Sequence, residues 1–262
     1  MGCGKLDKVF VIGDIHGCYS LLESILTKWN PEEEQLVFLG DYLDRGPDSL
    51  KVAQKVMGLS KDYDVVTLSG NHEQLFLGWL EKPEELSEYY FNPKVGGAAT
   101  VQSFYNDPNL NIASNNFSVK ELTSKIQKEQ SKIVEFVKGL RRFYLWGPFL
   151  FVHAGISSIA ENFRDTKEED FYWIREEFYN VPHKAKEIVV FGHTPTVLLN
   201  EDKSSEVWIS PCHRKVGIDG GGAIFERGQL HGVVFTKDSK EITIHSVGLT
   251  SDLTTKIIEL DF

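Results

Sequence analysis

The chain has 262 residues, of which 41% are hydrophobic and 25% are charged, so it can bury a sizeable core and is not expected to be disordered. Its 28 basic and 38 acidic residues give a formal charge of −10, which argues against a nucleic acid polymer as a partner because the surface as a whole would repel it. No apolar run reaches the roughly 18 residues that a membrane-spanning helix requires, so we expect no membrane partner.

The cysteines are sparse and odd in number, at Cys3, Cys18 and Cys212. This argues against a disulfide framework and fits a reducing compartment. The N-terminus lacks the basic-then-apolar pattern of a secretory signal, and Leu6 stands where a myristoylation signal at Gly2 needs Ser or Thr. We therefore expect a cytoplasmic protein; the sequence leaves the oligomeric state open, with a monomer favoured.

The first part of the chain contains three strand-loop-helix units. Each unit pairs a short apolar run with a following helical pattern: 9–12 with 19–29, 36–39 with 50–57, and 65–68 with 75–80. Consecutive units of this kind favour a parallel or mixed α/β sheet, in which ligands bind at the carboxyl ends of the strands.

From Pro83 to Trp146 the pattern loosens into an aromatic stretch, a Gly96–Gly97 turn, an Asn-rich segment over 106–116 and a helical pattern over 119–137. We expect residues 83–146 to form a mainly helical cap inserted into a single domain over 1–262. Strand patterns then follow at 149–152, 188–191, 207–209, 216–218, 230–235, 242–247 and 256–260. These later strands predict a second sheet packed on the first.

Polar residues that can bind a metal ion follow the predicted strands. They are Asp14, His16, Asp41, Asp44, Asn71, His72, His153 and His193. Because the carboxyl ends of parallel strands meet at one edge of a sheet, we expect these side chains to cluster. Oxygen and nitrogen ligands without thiolates suit Mn²⁺, Fe or Zn²⁺, and a set this large can hold two ions.

The predicted ligands divide between two ions. Asp14 and His16 are two residues apart, so extended backbone would place both on one face, toward one ion. The carboxylate of Asp41 can bridge both ions. The second ion would be completed by Asn71, His153 and His193. Two such ions lower the pKa of a bridging water, and the hydroxide attacks phosphorus without a protein nucleophile. Two divalent ions are therefore the expected cofactors, with Mn²⁺ favoured and Fe or Zn²⁺ as alternatives.

Three further residues suit catalysis beside the ions. Asn71 and His72 are neighbours whose side chains diverge, so His72 can face the leaving oxygen as a general acid. Asp44 would orient its ring, and Arg45 would bind phosphate oxygens in a bidentate manner. Cys18 follows the first of these segments, but no basic phosphate-binding loop surrounds it, which argues against a cysteine phosphatase.

Five short strings carry a family resemblance: GDIHG at 13–17, GDYLDRG at 40–46, GNHE at 70–73, HAG at 153–155 and GHTP at 192–195. In this order they resemble the signature blocks of the PPP family of metallophosphoesterases, over roughly residues 8–235. The resemblance implies an α/β fold of four layers, α/β/β/α, in which a calcineurin-like β-sandwich is flanked by helices. It also implies the metal ligands and the acid pair given above.

The resemblance further implies a second phosphate-binding arginine after the HAG string, and Arg175 in the segment WIREEF is its best match. The alternative is that Arg175 pairs with Glu169, Glu176 or Glu177 on a helix surface.

The substrate must be judged from residues around the shared strings. Thr194–Pro195, GGAAT at 96–100 and GIDGG at 217–221 resemble bacterial Ser/Thr protein phosphatases, although Val95 stands where Asn is usual. Symmetrical diadenosine tetraphosphatases typically have Trp after the last His. We therefore expect hydrolysis of phosphomonoesters in a phosphoprotein or phosphopeptide, with a dinucleoside polyphosphate as the alternative substrate. A binding protein with an inactive metal site is not supported, because all expected ligands are present.

The segment 83–146 also carries aromatic residues, at Tyr89, Tyr90, Phe91, Phe104 and Tyr105. They could stack on a nucleobase or cover the core.

Overall fold

Two β-sheets form the centre of the computed structural model, which describes residues 6–105, 110, 112 and 118–261. The predictions for Cys3 and most of the Asn-rich segment 106–116 lie outside these residues. Strands and helices are numbered below in chain order.

The first sheet has six strands: Lys8–Ile12 (β1), Glu34–Phe38 (β2), Val65–Thr67 (β3), Gln229–Thr236 (β9), Glu241–Gly248 (β10) and Ser251–Glu259 (β11). Their order is β11-β10-β9-β1-β2-β3. β1, β2 and β3 pair in parallel, whereas β9 pairs antiparallel with β1, and β10 and β11 continue the sheet through further antiparallel pairs. The predicted mixed sheet is therefore present, with β1 at its centre.

The second sheet has five strands: Phe143–Trp146 (β4), Phe149–Val152 (β5), Ile188–Phe191 (β6), Trp208–Ile209 (β7) and Lys215–Gly217 (β8). Their order is β4-β5-β6-β8-β7, with β5, β6 and β8 parallel and the two edge strands antiparallel.

Helices cover the outer faces of both sheets. On the first sheet lie Tyr19–Leu26 (α1), Ser49–Asp62 (α2), Asn71–Glu81 (α3), Pro83–Tyr90 (α4), Gly97–Tyr105 (α5), Val119–Glu129 (α6) and Ser131–Lys138 (α7). Three short helices lie on the second sheet: Asp170–Trp173 (α8), Glu176–Tyr179 (α9) and Thr196–Leu199 (α10).

Alternate residues of the central strands face different cores. Val9 and Val11 of β1 pack between the sheets with Phe149 of β5, while Phe10 of β1 packs against the helices. Because both faces are buried, these strands are continuous apolar runs. The four-layer α/β/β/α arrangement confirms the predicted fold class.

The prediction that all later strands form the second sheet is wrong for β9, β10 and β11, which pair onto β1 and extend the first sheet. Two local features also differ from the sequence prediction. The predicted helix over 119–137 is two helices, because the backbone of Gln130 leaves the helical conformation between α6 and α7. β4 lies within the range 83–146 but pairs with β5, so the helices of this range end at Lys138. That these helices are an insertion into a single domain stays a prediction. None of the helices described is long and apolar enough to cross a membrane.

Candidate active site

The predicted site residues lie at the carboxyl ends of strands from both sheets. Asp14 and His16 follow β1, Asp41, Asp44 and Arg45 follow β2, and Asn71 and His72 begin α3 after β3, while His153 follows β5 and His193 follows β6. All except Arg45 are buried. Arg175 lies between α8 and α9. The sandwich thus brings residues from five strand ends to one edge.

Left-handed backbone is concentrated in these loops. The φ angles are 46° at His16, 52° at Asp41, 70° at Asp44, 67° at Arg45 and 63° at His193. Non-glycine residues rarely adopt this conformation, and where they do the surrounding structure must stabilise it, most often at functional sites.

Two glycines of the motifs let carboxylates approach the backbone. A Cβ atom on Gly70 would collide with Oδ1 of Asp41, and one on Gly192 would collide with Oδ1 of Asp14. Any residue with a Cβ atom at either position would occupy the space that the carboxylate oxygen fills.

A first group of possible metal ligands comprises His16, Asp41 and His72, whose ligand atoms all lie within 4.8 Å of one another. Nε2 of His16 lies 3.4 Å from Oδ2 of Asp41, and Nε2 of His72 lies 4.0 Å from the same oxygen. Nδ1 of His16 donates to the carbonyl of Leu43 at 2.8 Å. Its Nε2 therefore carries the lone pair that a metal requires.

A second group comprises Asp41, His153 and His193, again within 4.8 Å. Nδ1 of His153 donates to the carbonyl of Leu39 at 3.1 Å, so its Nε2 carries a lone pair. That nitrogen lies 3.5 Å from Oδ1 of Asp41 and 3.0 Å from Oδ1 of Asn71. Nδ1 of His193 lies 2.9 Å from the same oxygen of Asn71. Asp41 is common to both groups.

The arrangement of acceptor atoms fits divalent cations. Nε2 of His153 and Oδ1 of Asn71 face each other as acceptors, and such a pair is favourable only with a cation between or beside them. Oδ1 of Asp14 and Nε2 of His193 are buried without a hydrogen-bond partner among the residues described. Buried polar atoms normally have a hydrogen-bond partner, so the lone pairs of these two atoms are suited to binding a metal ion.

Asp14 is the predicted ligand whose placement differs most from expectation. It belongs to neither group of possible ligands within the described residues, and its Oδ2 accepts the backbone N–H of His193 at 2.9 Å. Burial, together with the charges of Asp219 and Asp41, raises the pKa of Asp14 well above its usual range. Its coordination of an ion beside His16 stays a prediction.

Electrostatics favours deprotonated ligands elsewhere in the site. Burial lowers the pKa of His16, His153 and His193, which favours the neutral form of their rings. Burial raises the pKa of Asp41, but the histidines around it, led by His153, outweigh this and hold the pKa below its usual range. Neutral imidazoles around an ionised carboxylate are the forms that bind metal ions.

His72 differs from the other histidines. Its Nδ1 donates to Oδ2 of Asp44 at 2.7 Å. Burial lowers the pKa of His72, but the charges of Asp41 and Asp44 outweigh it, so the pKa is raised. A protonated ring with Nε2 directed toward the ligand groups can act as a proton donor.

Asp44 itself is completely buried and has partners that the sequence analysis missed. Its Oδ1 accepts hydrogen bonds from the hydroxyls of Tyr90 and Thr100, each at 2.7 Å. Its backbone N–H donates to Oγ1 of Thr100 at 2.7 Å. These residues are 46 and 56 positions from Asp44, so no local spacing could have shown the contact. Tyr90 and Phe104 belong to the core.

The two predicted phosphate-binding arginines lie beside cavities. Arg45 contacts Nε2 of His16 through NH1 and borders a cavity of about 1220 Å³. Arg175 donates from NH1 to the carbonyl of His193 at 3.2 Å and to Oγ1 of Thr194 at 3.1 Å, and it borders a cavity of about 650 Å³. These bonds direct Arg175 toward the His193 loop instead of toward the neighbouring glutamates.

Two buried carboxylates were also missed. Glu73 accepts the backbone N–H groups of Asp41 and Gly70 at 2.8 Å, of Tyr42 at 2.9 Å and of Leu43 at 3.3 Å. Asp219 follows β8 and accepts the N–H of Gly221 at 2.9 Å; burial and the charge of Asp41 raise its pKa to about 6. The rule that polar residues follow strand ends would have found Asp219.

Cys18 does not have the properties of a nucleophile. It is buried, and burial together with Asp48 raises the pKa of its thiol to about 11.

Comparison with curated proteins gives short similar segments. A segment of 71 residues is 42% identical to serine/threonine-protein phosphatase 1 of Salmonella typhimurium and covers 26% of this chain and 31% of the relative. A segment of 66 residues is 47% identical to the symmetrical bis(5'-nucleosyl)-tetraphosphatase of Erwinia tasmaniensis and covers 24% of this chain and 23% of that relative. The matches thus span less than a third of each relative's length.

Solved structures resemble the whole fold. A metallophosphoesterase from Sphaerobacter thermophilus has a TM-score of 0.53 at 15% identity and covers 93% of this chain and 89% of its own. A protein serine/threonine phosphatase from Saccharomyces cerevisiae has a TM-score of 0.56 at 13% identity, covering 95% and 82%. At these identities the likeness concerns the fold alone. The sequence model of the calcineurin-like phosphoesterase family matches residues 7–235, which is most of the chain. The chain therefore belongs to that family.

Proposed function

We propose that this chain hydrolyses phosphomonoesters, and that its substrates are proteins or peptides carrying phosphoserine or phosphothreonine. The observation that carries the proposal is that Asp41 belongs to both groups of possible metal ligands, and that one of these groups includes His72, which is paired with Asp44. Membership of this metallophosphoesterase family implies divalent metal ions. We propose two ions, with Mn²⁺ as the native metal and Fe or Zn²⁺ as alternatives.

The ligand sets follow from the groups in the structure and from the sequence prediction. Asp41, Asn71, His153 and His193 would bind one ion, and Asp41, His16 and Asp14 the other. Bound ions would neutralise charge on the phosphate and lower the pKa of a water molecule that attacks phosphorus.

His72 and Asp44 supply the proton for the leaving group. Asp44 accepts the Nδ1–H of His72, which fixes the ring and leaves the proton on Nε2 available to the leaving oxygen. General acid catalysis of this kind contributes about a hundredfold to ten-thousandfold in rate.

Arg45 and Arg175 bind the phosphate. They approach the ligand groups from different sides, one beside His16 and one beside the His193 loop. Guanidinium groups match the geometry of phosphate oxygens and stabilise charge that develops in the transition state. The cavities that the two arginines border leave room for the rest of a substrate on either side.

Phosphopeptides are favoured by the residues around the last histidine. Thr194 follows His193, as in the bacterial protein phosphatases that the sequence resembles, and its hydroxyl accepts a hydrogen bond from Arg175. The similar segment in the Salmonella phosphatase supports the same choice. Dinucleoside polyphosphates are the second candidate, because a segment of 66 residues is similar to the Erwinia tetraphosphatase. We also propose a monomeric protein, and a cytoplasmic location because Cys18 and Cys212 are free thiols.

The test measures phosphate release from a phosphoserine peptide and from diadenosine tetraphosphate in parallel, with Mn²⁺ present. His72→Asn removes the proton donor, and Asp41→Asn removes the carboxylate common to both ligand groups. We expect turnover of the peptide by the unaltered protein and a loss of at least about a hundredfold in both variants.

Faster hydrolysis of diadenosine tetraphosphate than of the peptide would show that the second candidate, a dinucleoside polyphosphate, is the substrate class. No turnover of either compound, with metal bound, would refute the proposed activity.

A further inference from the structure

The helices α4 and α5 contact the acid pair directly, although they lie outside the strand-end loops that supply the ligands. α4 ends with Tyr90 and α5 contains Thr100. Both hydroxyls donate to the same oxygen of Asp44, Oδ1, while His72 donates to the other oxygen, Oδ2. All three donors are buried. The carboxylate is therefore fixed from one side by α4 and α5 and from the other by the ring of His72.

The ring of Tyr90 is itself fixed by packing. It stacks on Trp79 with ring centroids 5.2 Å apart and contacts Phe76 at 6.5 Å. A Cβ atom on Gly97 would lie 2.6 Å from carbon atoms of this ring, so the glycine is needed where α5 begins. The hydroxyl of Tyr90 has little freedom to leave Asp44.

The hydroxyl of Tyr90 is also a permanent donor. Burial and the charge of Asp44 raise the pKa of Tyr90 well above its usual range, so the oxygen stays protonated. Thr100 combines two roles, because its Oγ1 donates to the carboxylate of Asp44 and accepts the N–H of the same residue. The left-handed backbone of Asp44, with φ of 70°, is thereby stabilised together with its side chain.

We propose that Tyr90 and Thr100 are positioning residues for the proton donor: their hydroxyls orient Asp44 so that His72 is aligned with the leaving oxygen of the substrate. The proposal rests on the phosphomonoesterase activity proposed above. In that reaction the bond between phosphorus and the leaving oxygen breaks, and its electron pair goes to that oxygen. The oxygen takes the proton from Nε2 of His72, while water supplies the hydroxide that binds phosphorus. The proton that this water loses passes to solvent, and a proton from solvent returns the ring of His72 to its protonated form.

The need for this proton depends on the leaving group, which gives a readout that a merely structural role would not change. Serine phosphate releases a strongly basic alkoxide and needs the proton donor, whereas p-nitrophenyl phosphate releases a weakly basic phenolate and needs it little. Misalignment of His72 therefore slows the first substrate more than the second. A general loss of structure would slow both alike.

The test compares kcat for a phosphoserine peptide and for p-nitrophenyl phosphate in Tyr90→Phe, which keeps the ring and removes only the hydroxyl. We expect kcat for the peptide to fall about tenfold or more, the range for partners that orient catalytic groups, and kcat for p-nitrophenyl phosphate to fall about twofold. Thr100→Val should behave in the same way, and Thr100→Ser, which keeps the hydroxyl, should restore the ratio.

Tyr144→Phe is the matched control, because Tyr144 donates to the side chain of Gln35 at 2.8 Å, away from the acid pair. It should leave the ratio of the two rates unchanged. An unchanged ratio in Tyr90→Phe and Thr100→Val, in folded and active proteins, would overturn the inference alone. An unaltered protein inactive on both compounds would refute the proposed function, and the inference with it.

Discussion

The two arginines of the site are supported in different ways. Arg45 lies in a motif loop with left-handed backbone. Its backbone N–H donates to the carbonyl of Gly96 at 3.2 Å, and the N–H of the next residue, Gly46, donates to the carbonyl of His16 at 2.9 Å. Arg175 lies between α8 and α9, two helices of four residues each. Helices of this length are not stable alone. The Arg45 side is thus built from linked loops, and the Arg175 side depends on contacts made by neighbouring elements.

One such contact is a buried lysine. Lys215 begins β8 with a side chain that is 1% exposed, and its Nζ donates to the carbonyls of Phe178 at 2.6 Å, of Tyr179 at 3.4 Å and of Val181 at 2.5 Å. The carbonyls of Phe178 and Tyr179 are at the end of α9 and that of Val181 follows it, and a positive charge is favourable at the end of a helix. Lys215 therefore stabilises the helix that follows Arg175.

The largest effect should come from a substitution of Glu73, whose carboxylate accepts the backbone N–H groups of the loop that leads to Arg45. Glu73→Gln replaces one carboxylate oxygen with an amide NH2 group, which would face two of the four backbone N–H groups that require an acceptor. We expect the free energy of unfolding, measured in urea, to fall by about 3 kcal/mol, together with loss of metal binding and turnover.

Glu34→Gln is the matched control. Glu34 is also buried, but its side chain accepts one N–H, that of Asn30 at 3.0 Å. A fall of less than about 1 kcal/mol is expected there. Equal losses in both variants would show that Glu73 has no special role.

The next prediction sharpens the comparison between the arginines. Arg45→Lys should lower kcat/KM for a phosphopeptide about a hundredfold, because a fixed loop cannot bring a point charge to the same phosphate oxygens. Arg175→Lys should lower it about tenfold, since the short helices can adjust. Steady-state kinetics on both variants is the measurement, and a reversed order would contradict the comparison.

A smaller effect is expected from Lys215→Met, which keeps the length of the side chain but not its charge. We expect kcat/KM to fall about fivefold through displacement of Arg175. In an Arg175→Gln background the same change should have no further effect, whereas additive losses would mean that Lys215 does not act through Arg175.

Lys215 also gives a pH dependence of stability. Burial lowers its pKa from 10.5 to about 8, so between these values the unfolded chain binds a proton that the folded chain has released. Stability should therefore rise as pH increases from about 8 toward 10.5. Urea midpoints across this window should show the rise in the unaltered protein, and Lys215→Met should lack it.

The smallest effect should come from Thr194→Val, which removes one acceptor of Arg175 and leaves the carbonyl of His193. A two- to threefold fall in kcat/KM corresponds to roughly 0.5 kcal/mol, the low end for one hydrogen bond. Thr194→Ser should retain full activity, and a comparable loss in it would exclude the hydroxyl as the cause.

The sequence predicted those parts of the fold and site that follow from strand ends. Asp41, Asn71 and His153 are far apart in the chain, yet their grouping follows from the rule that parallel strands present their carboxyl ends at one edge. The same rule predicted the position of His193. Local pattern was sufficient because each of these residues lies within three positions of the end of a short, mainly apolar run.

The remaining features depend on contacts between distant segments. Lys215 precedes an apolar run and would be expected at the surface, but carbonyls at and just after the end of α9 allow its burial. The break at Gln130 could not be seen in the sequence, because Ile126 and Ile133 are seven residues apart and continue the apolar spacing of a single helix. Tyr90 could have faced a nucleobase or the core, and only the fold places its hydroxyl on Asp44.

The site joins the two sheets. Asp41 and Asn71 follow strands of the first sheet, whereas His153 and His193 follow strands of the second. A cation coordinated by all four would cross-link the layers and stabilise the native state by about 2.7 kcal/mol at a hundredfold excess over its Kd. Metal-starved cells would then contain a form that proteases digest more readily. Metal supply would set the abundance of this protein as well as its activity.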